Sequence, residues 1–371
     1  MIVGAFALGA LITSMFGFGS SDLPILLEAR SILLKNGLNP PPEDPKLEYG
    51  MIHGMVQAYG DPFTSFVEPA QHELQTNQLT GSYGGIGARI EQSADGHFYL
   101  LPFPDSPALI AGIQENDQLV SIDDAIVTDQ FSIDEIAALI RGPVNSKVKI
   151  EVLSAPDYTE NTVYQVKREE VALPSIEASL HPEQQTVGII KINIIAETTP
   201  AEITNAMHDL QSRGAVSFVI DLRNNGGGLL DAGIESANLF LSKDDIVIQK
   251  QAKDAEVETI SAKIDGEFAS TPIVVLINEN TASAAEIFAG ALQANQRSQL
   301  FGHQSFGKNT IQMVFNLQDQ SSLHVTAAEW WFPALPNFSS ANGLVPDTAF
   351  PELDSMDPAI LEAAINALPT Q

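Results

Sequence analysis

The chain has 371 residues, enough for more than one hydrophobic core, and sets 18 basic against 47 acidic side chains for a formal net charge of −29. Such a surface repels phosphate backbones, which speaks against nucleic-acid binding. There is no cysteine, so thiolate chemistry, disulfides and cysteine-based zinc sites are excluded, and the seven histidines never fall at i, i+4 spacing, so no helical zinc motif is present.

Residues 2–19, IVGAFALGALITSMFGFG, hold no charge and only Thr13 and Ser14 as clearly polar side chains. The run is long enough to enter or span a bilayer, and its four glycines count against a buried core helix. It reads as a signal peptide or single membrane anchor of an exported protein; the first basic side chain is Arg30, so the charged segment of such a leader is expected upstream. Asp22 can cap a helix with Pro24 in its first turn, Leu26, Leu27, Leu33 and Leu34 on its apolar sides and Gly37 at its end. NPPPEDP is a stiff linker. Leu47, Met51, Met55 and Tyr59, four residues apart, predict a second helix that Gly60 terminates, and GDPFTSFVEP reads as turn and extended chain.

From Gly81 the periodicity changes to short β-type runs, FYLLPF, QLVSI, VKIEVL and TVYQVK. One helix interrupts them, SIDEIAALI, opened by a capping box of Ser132 and Glu135 and ended at Gly142-Pro143. From Val187 strands and helices alternate: VGIIKINII, a helix from Thr199, VSFVID, a helix after the glycines at 226–228, PIVVLIN, and a helix opening at Ser283. This alternation predicts parallel strands joined by helical crossovers. After Gln293, β-like runs return and end in HVTAAEWWF.

Open α/β sheets carry their sites at the carboxyl ends of the strands, and two turns there are unusual. DLRNNGGGLLD leaves glycine N–H groups uncovered and able to approach an oxygen anion. NENTASAAEIFAGALQ sets Ser283 at the mouth of a helix, with the Ala284 N–H pointing out of the helix N-terminus. Together they form a candidate oxyanion hole beside a candidate nucleophile. Equally, Ser283 and Glu286 fit a capping box that merely starts the helix, and the glycines fit a tight turn with close helix packing. GHQSFGKNTIQ favours chemistry, because a desolvated Lys308 amine serves as general base without a histidine, and Phe306 with the flanking glycines suits a dry approach. The same stretch approaches a P-loop, but Asn309 stands where Ser or Thr is required and the β-like TIQMVFNL follows where a helix should begin.

Over residues 49–350 the chain resembles the carboxyl-terminal processing proteases, also called tail-specific proteases. The resemblance is carried, in order, by YGDPFTSFVEPAQ, GSYGGIGARI, SPALIAGIQENDQLVSIDD, LIRGPVNSKVKIEV, VIDLRNNGGGLLD, INENTASAAEIFAGALQ, FGKNTIQ and NGLVPD. With the leader (1–19) and the helical N-terminal region (20–81) read above, it implies a multidomain α+β and α/β protein: an inserted β-rich PDZ domain (82–153) and an α/β serine-protease core of the ClpP/crotonase-like type (154–371). It implies Ser283 as nucleophile, Lys308 as base and Gln312 as the residue that orients the lysine; Ala294 stands where some members carry an orienting aspartate. Ala284 and either Gly227 or Gly228 would donate to the oxyanion, with Gly226 in the place of the usual proline.

By the same resemblance, Tyr83, Gly84, Gly85, Ile86 and Gly87 form the loop whose amides hold a chain-end carboxylate. Arg141 either relays occupancy of that groove to the catalytic part or simply favours the helix dipole beside it. The implied activity is a serine endopeptidase of the cell envelope, periplasmic or extracellular, acting on proteins or peptides with unstructured C-terminal tails, with no metal or cofactor. Two rivals stand beside it. A silent PDZ scaffold would be free to lose its serine, lysine and glutamine, and a crotonase-like acyl-CoA enzyme would need a nucleotide pocket and leave the β-rich module unexplained.

Overall fold

The computed structural model describes residues 23–39, 41, 45–93, 96–123, 125–129, 131–339 and 342–368. The apolar run 2–19, the expected cap Asp22 and most of the linker NPPPEDP lie outside them, and no described helix is long and apolar enough to cross a membrane. Helix α1 (Pro24–Asn36) has proline in its first turn, stops before Gly37 and buries none of its residues. Helix α2 (Lys46–Tyr59) closes on Gly60, whose φ of 83° is left-handed. Strand β1 (Ser65–Val67) and helix α3 (Pro69–Thr80) follow. The latter is absent from the sequence-based expectations, since PAQHELQTNQLT carries no apolar stripe.

The β-rich module begins with β2 (Ser82–Gly85), β3 (Ala88–Gln92) and β4 (Phe98–Pro102). Helix α4 (Pro107–Ala111) leads to β5 (Asp117–Ile122) and β6 (Ala125–Ile126), and helix α5 (Ile133–Ile140) to β7 (Lys147–Leu153), β8 (Asn161–Lys167) and β9 (Glu169–Ala172). The sheet order is β3-β4-β5-β7-β8 with β6 beside β5, so the sheet continues past residue 153 and leaves β3 at an edge. Along β7 Val148, Ile150 and Val152 alternate inward and join Ile136 and Ile140 of α5 in one core. The predicted capping box is formed, with the Glu135 N–H donating to Ser132 Oγ (3.2 Å) and the Ser132 N–H donating to the Glu135 carboxylate (2.7 Å). The helix stops at Ile140, just before the expected Gly142-Pro143. The module holds two helices rather than one, because Ser106 caps α4 by accepting the Leu109 N–H (3.2 Å), Pro107 opens it and Gly112 (φ 109°) closes it.

The core starts with β10 (Ile176–Leu180), β11 (Val187–Ile192), α6 (Thr199–Ser212), β12 (Ser217–Asp221) and α7 (Leu230–Asn238). The hairpin β13 (Ile246–Ala252) and β14 (Glu258–Ser261) precedes β15 (Ile273–Ile277), α8 (Ala284–Ala294) and β16 (Leu300–Gly302). The chain ends with β17 (Thr310–Asn316), β18 (Ser322–Trp331), β19 (Thr348–Ala349) and a helix, α9 (Pro358–Ala367), that the sequence reading does not include. The main sheet runs β10-β11-β12-β15-β16-β19; β10 is antiparallel and every later neighbour pair is parallel, as the alternation predicts. Phe218, Ile220, Val275 and Ile277 face helices α6 to α8, while Val219, Val274 and Leu276 face α9. The period of two in these strands thus feeds two cores, which is why they read as continuous apolar runs.

The chain divides into two compact units. One holds the described residues up to 72 with 312–327; the other holds the described residues of 73–311 and 328–368. In the first, β1 pairs antiparallel with the start of β18, Ser65 opposite His324. In the second, β13 pairs with the end of β18, Gln249 opposite Trp331.

Candidate active site

Because β12 and β15 are parallel neighbours, with Asp221 opposite Leu276, the glycine turn and the serine turn leave the sheet side by side. Hydrogen bonds tie them together. Thr281 Oγ1 donates to the Leu222 carbonyl (2.9 Å), the Ala282 N–H to the Asn225 carbonyl (2.9 Å) and the Asn224 N–H to Asn278 Oδ1 (2.8 Å). Asn225 is fully buried and anchors the glycine turn to β11 through Nδ2 and the Ile192 carbonyl (2.8 Å). A buried Arg223–Asp221 ion pair (2.6 Å) closes the base of the turn.

Ser283 has φ 56° and ψ −122°, a conformation that costs a non-glycine residue about 1–3 kcal/mol and persists only where the surroundings impose it. Gly227 packs directly against it. At φ 101°, a Cβ on Gly227 would lie 2.7 Å from the Ala282 carbonyl oxygen, 2.8 Å from Ser283 Cβ and 3.0 Å from the Ala284 nitrogen. The Gly227 N–H donates to Asn225 Oδ1 (2.9 Å), whereas the Gly228 N–H donates to no acceptor among the described residues. Gly228 is turned toward the chain after β11, where a Cβ would meet the Ile195 carbonyl oxygen at 2.0 Å. Ala284 is the first residue of α8, so its N–H has no acceptor within the helix.

Glu286 joins these parts. Its carboxylate is fully buried and accepts four hydrogen bonds: Oε2 from the N–H groups of Ser283 (2.8 Å) and Lys308 (2.9 Å), Oε1 from the Gly307 N–H (2.7 Å) and Ser305 Oγ (2.5 Å). One oxygen therefore bridges the backbones of the candidate nucleophile and the candidate base. The Phe306 N–H adds a bond to the Thr281 carbonyl (2.9 Å). Burial pushes the Glu286 carboxyl above the ordinary carboxylate range, against the pull of its four donors. Burial also lowers the Lys308 amine, against the opposing charge of Glu286. Sequence reasoning gives Glu286 only the part of a helix cap, and the Ser283 N–H bond is indeed half of a capping box. The missed signal is that Glu286 is the sole charge in AAEIFAGALQA, a helix with one apolar side too many to face water.

Ser283, Ala284, Gly227 and Lys308 thus belong to one hydrogen-bonded assembly. Gln312 belongs to the other unit, on β17, where its side-chain amide donates to the Phe63 carbonyl.

Tyr83, Gly84, Gly85, Ile86, Gly87 and Arg141 gather in the β-rich module. β2 pairs with β9, Gly84 opposite Glu170, and Gly87 (φ 68°) turns the chain into β3. The carbonyls of Gly84, Ile86 and Gly87 accept from the N–H groups of Gly142 (3.0 Å), Ala108 (2.8 Å) and Phe103 (2.9 Å). The N–H groups of Ile86 and Gly87, both buried, donate to no acceptor among the described residues. Two backbone donors left open in a loop of buried residues offer a candidate place for an oxygen ligand. The Arg141 guanidinium lies 4.6 Å from the centre of the Tyr83 ring. β3 is an edge strand with Ala88 and Ile90 packed on the core that holds α5, so an extended peptide can add beside it.

Peptidase family S41 matches residues 186–350 and a PDZ domain matches residues 103–154. The carboxyl-terminal-processing protease of Synechocystis sp. is 36% identical over 86% of this chain and 76% of its own length. The carboxy-terminal processing protease CtpA of Bacillus subtilis is 34% identical over 78% of this chain and 60% of its own length, so the chain spans about three fifths of that relative. Among solved structures, the photosystem II D1 C-terminal processing protease is 28% identical with a TM-score of 0.49, covering 93% of this chain and 91% of that one.

Proposed function

Since the chain belongs to peptidase family S41, a family of serine peptidases, and carries a PDZ domain, we propose that it is an exported C-terminal processing endopeptidase. In this reading its core is of the ClpP/crotonase-like type, its PDZ groove captures flexible C-terminal tails, and its leader directs it to the cell envelope. Lys308 takes the proton of Ser283 as Oγ attacks the peptide carbonyl, and the oxyanion is held by the Ala284 N–H and a glycine-turn N–H. The Gly228 donor is unoccupied, while that of Gly227 has to leave Asn225 Oδ1 to take part. Protonated Lys308 passes its proton to the leaving amine and then activates water to release the acyl-enzyme. Gln312 orients Lys308, and Arg141 couples groove occupancy to the core.

The observation that supports the reading is the shared Glu286 oxygen, which accepts from the backbone N–H groups of both Ser283 and Lys308, the latter a lysine whose amine pKa is lowered by burial. The test is cleavage of an unstructured protein with an apolar C-terminus. Ser283→Ala and Lys308→Ala should each lose about 10³-fold or more, and His303→Ala and His181→Ala should not. Full cleavage by either of the first two variants refutes the mechanism. Tail binding without cleavage by the unaltered protein would favour a scaffold.

A further inference from the structure

Arg168 lies between β8 and β9 and is only 7% exposed. Its guanidinium donates to the carbonyls of Ile140 (2.7 Å), Leu139 (3.4 Å) and Lys147 (3.0 Å) and to Ser146 Oγ (3.0 Å). No carboxylate is among these partners, so among the described residues the buried positive charge is met by dipoles alone. Leu139 and Ile140 end α5, where the last carbonyls have no donor within the helix, and the arginine caps them from outside. Its backbone clasps the following turn, with the Arg168 N–H on the Ser146 carbonyl (2.8 Å) and the Asn145 N–H on the Arg168 carbonyl (2.8 Å).

Gly142 lies between this charge and the candidate carboxylate loop. A Cβ on Gly142 would lie 2.9 Å from Arg168 Cζ, and a Cβ on Gly84 would lie 2.0 Å from the Gly142 oxygen. The guanidinium therefore stands one backbone layer behind Gly84, and the unoccupied Ile86 and Gly87 N–H groups follow directly in the loop. On the other side, Glu169 and Glu170 face Gly85 and Gly84 across the β2–β9 ladder, but both are exposed. Water and salt screen those two charges far more than the buried one.

We infer that Arg168 is the positioning residue of the carboxylate loop. It fixes the last turn of α5 against Gly84 so that the Ile86 and Gly87 amides stay open, and its uncompensated charge makes the groove select a free α-carboxylate in a protein of net charge −29. The inference rests on the proposed capture of C-terminal tails. It differs from the role given to Arg141, which stacks on Tyr83.

The test uses the full chain with Ser283→Ala to prevent turnover, and measures anisotropy of a labelled apolar tail peptide with a free carboxylate and of the same peptide amidated. The parent should prefer the carboxylate by about tenfold or more, Arg168→Gln should lose at least about fivefold of that preference, and Arg168→Lys should keep most of it. A folded Arg168→Gln protein with the full preference overturns the inference while leaving tail capture standing. Equal losses in Lys and Gln variants overturn the role of charge. If Arg168→Gln does not fold, Arg168→Lys decides: preference kept supports the assignment, preference reduced to unity overturns it. Failure of the parent to bind either peptide sinks tail capture itself, and the inference with it.

Discussion

Replacing Glu286 by glutamine tests the central joint of the site. The carboxylate takes two donors on each oxygen, and an amide offers one oxygen and one NH₂, so two of the four donors would face another donor. Each unsatisfied buried donor costs about 1–3 kcal/mol, or about 2–6 kcal/mol for two, reduced by the relief of a buried charge. Whichever way the amide turns, at least one of the bonds that hold the 305–308 loop is lost. A slip of about 1 Å between Ser283 and Lys308 is enough to cost about 10²-fold in turnover. The variant also loses the carboxylate that raises the Lys308 pKa, so the alkaline rise of kcat/KM should move to lower pH. Urea unfolding and kcat/KM across neutral to alkaline pH measure all three effects. Wild-type kcat/KM, an unchanged urea midpoint and an unmoved pH limb together would refute the idea that Glu286 sets the geometry of the proposed nucleophile and base.

Two further substitutions probe the neighbours. Gly227→Ala places a Cβ 2.8 Å from Ser283 Cβ at φ 101°, and should abolish cleavage and lower stability by about 1–3 kcal/mol; an active alanine variant would remove the glycine turn from the oxyanion site. Lys308→Met should lose activity yet gain stability. Burial depresses the Lys308 pKa, so the unfolded chain binds the proton more tightly, and the penalty on the folded state is present below the folded pKa and fades as pH rises toward the ordinary lysine value of 10.5. The gain in urea midpoint should therefore be seen at neutral pH and shrink at high pH; a loss at neutral pH would contradict the burial argument.

Much of this protein is legible in its residues. Alternation of apolar runs with capped helices gives the parallel sheet, the Ser132–Glu135 box gives α5, and the order of motifs gives the family, because each depends on short-range periodicity or on local backbone chemistry. What stays hidden depends on which distant segments meet. Helix α3 lacks an apolar stripe, and α4 is a single capped turn too short to show a period. Nothing near Glu286 in sequence reveals that its carboxylate will be shared with the amide of Lys308, or that Arg168 will reach back to the end of α5. Those pairings were decided by the side-by-side exit of β12 and β15 and by the return of β9 onto β2. Burial then turned an ordinary helix cap and an ordinary arginine into charges held by specific partners, since a buried charge is stable only where the fold supplies its hydrogen bonds.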